Sequence, residues 1–207
     1  YIVEKLWREF VSPVPERAEV RRIAQAFRSS GYEIKVALRE LLLSPAFWMD
    51  ENRAVLVKSP AEFVVGTLRQ FEVPVANATP FAFIMATLGQ NLFAPPNVKG
   101  WPGGEAWINS ATLLARKQFV ERLFRAEEMA RPGAMDERTD PAIAPRRVAS
   151  PGMSFDGHRW FAAFAGERDP AVEQLVLAAA PANPVPAEAG GREWLRHLTL
   201  DPAYQLK

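Results

Sequence analysis

LGQNLFAPPNVKGWPGGEAWINSATLL, residues Leu88 to Leu114, is the stretch on which the reading of this chain turns. Its first residues close one apolar helical pattern and its last residues open another. Between them Pro95, Pro96, Pro102, Gly103 and Gly104 exclude regular structure. Proline has no amide hydrogen to donate, and glycine loses more conformational freedom on ordering than any other residue. Trp101 and Trp107 stand among these breakers. The unit implied is helix, long anchored loop, helix.

Upstream of the loop, Thr79 and Pro80 set a cap and a first-turn proline before Phe81, Phe83, Ile84, Met85 and Leu88, an apolar helix expected to be central. Ser59, Pro60 and Glu62 make a stronger start signal, since the serine hydroxyl and the glutamate carboxylate can each satisfy the other's backbone amide. That helix carries Phe63, Val64, Leu68 and Phe71 inward. Glu62 is read as a cap, not as a catalytic acid. Nearer the N-terminus three helices follow from spacings of three and four. One runs over Tyr1–Val11 with Ile2, Leu6, Trp7 and Phe10 on one side. The next covers about 16–29 with Val20, Ile23, Ala24 and Phe27, ended by Gly31. The third runs from about Glu33 with Ile34, Leu38, Leu41 and Leu42. Phe47 and Trp48 are expected to fold back as core anchors, and a short hairpin is considered at 54–57.

Downstream of the loop, Asn109 or Ser110 caps a helix to about Ala126, with Leu113, Leu114, Phe119, Leu123 and Phe124 inward and Arg116, Lys117, Arg122 and Arg125 on a solvated face. Residues 129–153 lose periodicity and read as a linker or surface excursion. Beyond them come short helices around Trp160, Phe161 and Phe164, from Asp169 and Pro170, and around Trp194, Leu195 and Leu198. LLLSPAF from Leu41 and LTLDPAY from Leu198 echo each other as helix stops followed by a proline turn. No alternating strand pattern occurs, so the fold expected is all-α, an irregular multi-helix bundle with long Pro/Gly-rich loops. The organisation expected is a helical core over 1–128 holding the aromatic loop 89–109, the linker 129–153, and helices over 154–207 packing on the core.

Composition excludes several functions. With 207 residues and 48% of them hydrophobic, a sizeable core is affordable. A formal charge of +1 gives no field for nucleic acid, and Arg131, Arg138, Arg146 and Arg147 are interspersed with Asp136, Glu137 and Asp140. No apolar run is long enough to span a bilayer. The absence of cysteine removes thiolate nucleophiles, cysteine-bound metals and disulfides. His158 and His197 lie far apart without metal-ligand spacing, and Asp156 beside His158 reads as a turn with an exposed histidine. No metal site, cofactor motif or catalytic set is expected. Starting at Tyr1 inside an amphipathic pattern, the chain reads as a piece of a longer protein.

KSPAEFVVGTLR from Lys58, the long segment from Leu88 to Arg116, and LTLDPAYQLK at the end together make the chain resemble the C-terminal half of the bacterial family called domain of unknown function 1800. The resemblance implies an exported protein, periplasmic or extracellular, encoded beside a sulfatase-like protein. It also implies an N-terminal half with its own aromatic and histidine motif, absent here.

Two readings of the loop stay open. In the functional one, Phe93, Trp101 and Trp107 present flat apolar faces beside Asn91, Asn97, Lys99 and Glu105, a platform suited to a sugar ring or an extended peptide. In the structural one the tryptophans are plugs that pin the loop to the helices. The function expected is an exported interaction or accessory module using this loop at a protein or glycan interface. The alternative is part of a hydrolase acting on cell-surface polymers, with catalytic residues mainly in the missing half.

Overall fold

A computed structural model describes residues 1–130, 153 and 155–207. The chain is all-α. Among the described residues the elements are helices, 3-10 turns and one isolated antiparallel bridge, Val57 with Leu206. Chain contacts divide it into two units, residues 1–57 with 206–207, and residues 58–205. The part of the linker beyond Ala130, with its four arginines, lies outside the described residues, although Met153 at its end is buried.

The first unit holds α1 (Ile2–Phe10), α2 (Arg17–Ser29), α3 (Ile34–Leu42) and α4 (Pro45–Trp48). Its core is Val3, Trp7, Val11, Val20, Ile23, Phe27, Ala37, Leu41 and Ala46. Trp7 satisfies its indole internally, donating to Ser12 Oγ at 3.0 Å. The buried stripe of α1 is therefore Val3, Trp7 and Val11, whereas Ile2 and Phe10, expected inside, are each 45% exposed. Spacings of three and four define a face, but several rotations of a short helix satisfy them, and the neighbours choose among these. Trp48 likewise departs from expectation: it is exposed, and its indole donates to the Leu42 carbonyl at 2.9 Å. Gly31 ends the second helix at φ +73, the left-handed conformation that suits glycine. The hairpin considered at 54–57 does not form; Leu56 instead exchanges backbone hydrogen bonds with Lys207.

The second unit begins with α5 (Pro60–Gln70), whose capping box is present as read: Ser59 Oγ accepts from the Glu62 amide at 3.2 Å, and Glu62 Oε2 accepts from the Ser59 amide at 2.8 Å. Phe63, Val64, Leu68 and Phe71 are buried as expected. In α6 (Thr79–Thr87) Phe81 and Met85 are buried, but Phe83 is 69% exposed, so this helix is half-covered and not central. In α7 (Ser110–Ala130) Asn109 caps the N-terminus, its Oδ1 accepting from the Thr112 amide at 2.9 Å. Phe119, Val120, Leu123 and Phe124 are its buried side. Glu121 pairs with Arg196 at 2.8 Å, across to α10 (Gly191–Leu200).

Short helices α8 (Gly157–Phe161) and α9 (Pro170–Val176) carry Trp160, Phe161, Val172 and Val176 into the same core. Asp156 and Asp169 cap them, accepting from the Arg159 and Ala171 amides. The 3-10 turn Pro202–Gln205 closes the unit. Asp201 before it accepts from the amides of Ala182, Asn183 and Ala203 and from the Asn183 side chain. Burial works to raise the Asp201 carboxyl, but these four bonds outweigh it and hold the group below its ordinary range.

Candidate functional site

The loop between α6 and α7 is anchored at both ends. At its start the Gln90 amide donates to Met85 O at 2.9 Å, and the Gln90 side chain accepts from the Ala61 amide at 2.8 Å, tying the loop to the first turn of α5. At its end the 3-10 turn Gly104–Trp107 delivers Trp107 into the interior at 6% exposure, with its ring beside Gly89. Trp101 is half-buried. The tryptophans thus serve as the plug and its partial support, as in the structural reading.

The tip behaves otherwise. Phe93 is 98% exposed and Val98 fully so, with Leu92, Pro95 and Pro96 exposed around them. Phe93 has φ +63, one of four non-glycine residues with positive φ among the described residues. A side chain in that region costs on the order of 1–2 kcal/mol, which neither burial nor packing of Phe93 offsets. Short backbone bonds brace the turns: the Ala94 amide donates to Asn91 O at 3.1 Å and the Gly100 amide to Asn97 O at 3.0 Å. Asn97 Oδ1 also accepts from the Lys99 amide at 2.8 Å, which makes Asn97 a turn former. Asn91, Lys99 and Glu105 are exposed. The expected site residues therefore separate into a buried anchor, Trp107, a half-buried neighbour, Trp101, and a presented set led by Phe93.

A second constellation was missed by the sequence reading. Arg116, placed there on a solvated face of α7, has no exposed surface. Its Nη2 donates to the Lys58 carbonyl at 2.9 Å, its Nη1 to Gln205 Oε1 at 3.2 Å, and its guanidinium lies 4.8 Å from the centre of the Phe63 ring. Its Nε is buried with no partner among the described residues. Lys58 Nζ donates to the Tyr204 carbonyl at 2.8 Å and sits 4.2 Å over the Tyr204 ring. The Tyr204 hydroxyl lies 2.8 Å from Thr67 Oγ1 and donates to Gln70 Oε1 at 3.1 Å. Burial, then the charge of Arg116, pushes Lys58 down to about 8 against the opposing pull of Glu62. Burial also lowers Arg116 to about 10, still a cation at neutral pH, and raises the Tyr204 phenol. The signal in the sequence was indirect: Lys58, Arg116, Tyr204 and Gln205 sit in the three segments that carried the family resemblance.

Beside this cluster lies a cavity of about 190 Å³, lined by Lys58, Glu62, Phe63, Gly66, Thr67, Gln70 and Tyr204. Another, of about 220 Å³, is framed by Glu72, Pro74, Asp156 and Arg159 over Phe71 and Trp160. None of the loop residues lines either cavity. Among the described residues no group of histidine, aspartate or glutamate is arranged to hold a metal ion, and no helix is long and apolar enough to cross a membrane.

Fold and sites define an all-α protein with a braced, proline-rich loop presenting an apolar tip, and a buried two-cation cluster where three segments meet. The chain belongs to the family described as protein of unknown function (DUF1800), whose model matches residues 1–206. No curated protein and no solved structure matches it.

Proposed function

We propose that this chain is a helical interaction module, acting outside the cytoplasm, whose loop tip docks a protein partner. The observation that carries this reading is the pairing of an anchored base with an apolar tip: Phe93 at 98% exposure and a fully exposed Val98 on a loop fastened by Gln90 and Trp107. A large aromatic held in water in a left-handed conformation is unfavourable in the free chain and is offset when a partner covers it. The tip favours a protein over a glycan, because Trp107 is buried and Trp101 half-buried, leaving no broad indole platform. The exposed Asn91, Lys99 and Glu105 flank the tip as a polar rim would.

The first partner to test is the sulfatase-like protein implied by the family resemblance. Calorimetric titration compares the parent with Phe93→Ser. A loss of about tenfold or more in affinity, or ~1.4 kcal/mol, with an unchanged melting temperature supports docking by the tip. Equal affinity of parent and variant removes the tip from the interface, and binding of a glycan in place of the protein replaces the partner class. Turnover of a cell-surface polymer, unaffected by Phe93→Ser, favours the hydrolase alternative.

A further inference from the structure

We propose that Lys58 is an amine nucleophile, and that the cavity it lines takes small carbonyl compounds and condenses them with its Nζ. The geometry has three parts. Lys58 is half-buried at the wall of a cavity of about 190 Å³, room for a small organic molecule. Its nitrogen is held in place by the Tyr204 carbonyl and the Tyr204 ring, so it does not sweep through solvent as a surface lysine does. Gly66 leaves the helix-side wall open, with no atom within 4 Å of where a side chain would start.

Among the described residues, the charged and titratable groups facing Lys58 are Arg116 from α7, Glu62 from α5 and Tyr204 from the C-terminal turn. Burial and Arg116 favour the neutral amine, and Glu62 opposes them. With the amine titrating near 8, its neutral fraction at pH 7 is roughly 300-fold that of an ordinary lysine. A neighbouring cation and partial desolvation are the two ways a lysine becomes a nucleophile at neutral pH.

The step balances without an oxidant or reductant. The neutral amine forms a bond to the carbonyl carbon while the carbonyl π pair moves to oxygen. One proton passes from nitrogen to that oxygen to give the carbinolamine. Its nitrogen lone pair then forms the C=N bond as the C–O bond breaks, and the hydroxyl leaves as water with the second nitrogen proton. A solely structural Lys58 predicts the opposite behaviour, since an ammonium locked on the Tyr204 carbonyl reacts more slowly than exposed lysines.

The test is reductive trapping on the full 207-residue chain with glyoxylate and cyanoborohydride, with the tagged lysines mapped by peptide mass spectrometry across pH 6 to 10. Lys58 is expected to be tagged about tenfold or more faster than the exposed Lys99 and Lys117 at pH 7, with a midpoint near 8. Glu62→Gln keeps an acceptor for the Ser59 amide and is expected to move that midpoint down, because the opposing carboxylate charge is gone. Gly66→Leu is expected to slow Lys58 selectively by filling the cavity. Tagging of Lys58 no faster than of Lys99, or only in urea, overturns the proposal. So does fast tagging that neither substitution alters while both variants melt as the parent does.

Discussion

Lys58 shows how one side chain couples burial to pH. Its amine titrates near 10.5 when unfolded and about 8 when folded, so between these values the unfolded chain binds more protons than the folded one. Stability therefore rises with pH from about 8 to 10.5, and below 8 the half-buried ammonium costs the fold on the order of 3 kcal/mol. Tyr204 works oppositely above about 10, since its raised phenol keeps a proton that the unfolded chain releases. Urea melts between pH 8 and 10 isolate the lysine. The parent is expected to gain stability across that window relative to Lys58→Met, which has no amine to titrate, and parallel curves contradict the assignment. Arg116 makes the same point about reading. It sits among Lys117, Arg122 and Arg125 in sequence, all three exposed, and nothing local distinguishes the one that is buried.

At the scale of elements, most starts and stops were legible, because caps are local chemistry. Thr79 is the exception, since Ala78 holds the N-cap position of α6 and makes no side-chain cap bond. Ser59 with Glu62, Asn109, Asp169 and Gly31 all act where the sequence placed them. Which face each helix buries was less legible. Phe83 on α6 and Leu114 on α7 are apolar and exposed, and Arg116 is charged and buried, because tertiary neighbours override the pattern. The loop divides in the same way. Its anchoring by tryptophan was readable, but not that Trp107 alone is fully inserted while Phe93 is left outside. Trp107→Ala is expected to cost about 3–5 kcal/mol, as for a buried large aromatic, and Trp101→Ala about a third of that or less. Thermal melts of the two variants with acrylamide quenching of the parent measure this. Equal losses would show that both indoles anchor the loop.

Across the whole chain, the C-terminal residues return to the middle of the sequence. Lys207 exchanges backbone bonds with Leu56 in the first unit, and in the second Gln205 accepts from the Lys58 amide while Tyr204 fills the core at 1% exposure. Deleting residues 202–207 is expected to destabilise the second unit by more than about 4 kcal/mol, since it empties the Tyr204 site and takes Gln205 from the buried Arg116. Loss of the cooperative far-ultraviolet transition checks this, and a truncated chain melting within a few degrees of the parent refutes it. The helical class, most of the caps, the family resemblance and the anchored loop could be read from the residues alone, because each is set by the spacing of residues near one another in the chain. Which distant residues meet was settled by packing. Lys58, Arg116 and Tyr204 lie far apart in sequence, and nothing in their local pattern says that a cation will be buried beside another cation. That outcome depends on the dielectric and the hydrogen-bond partners that only the folded chain supplies.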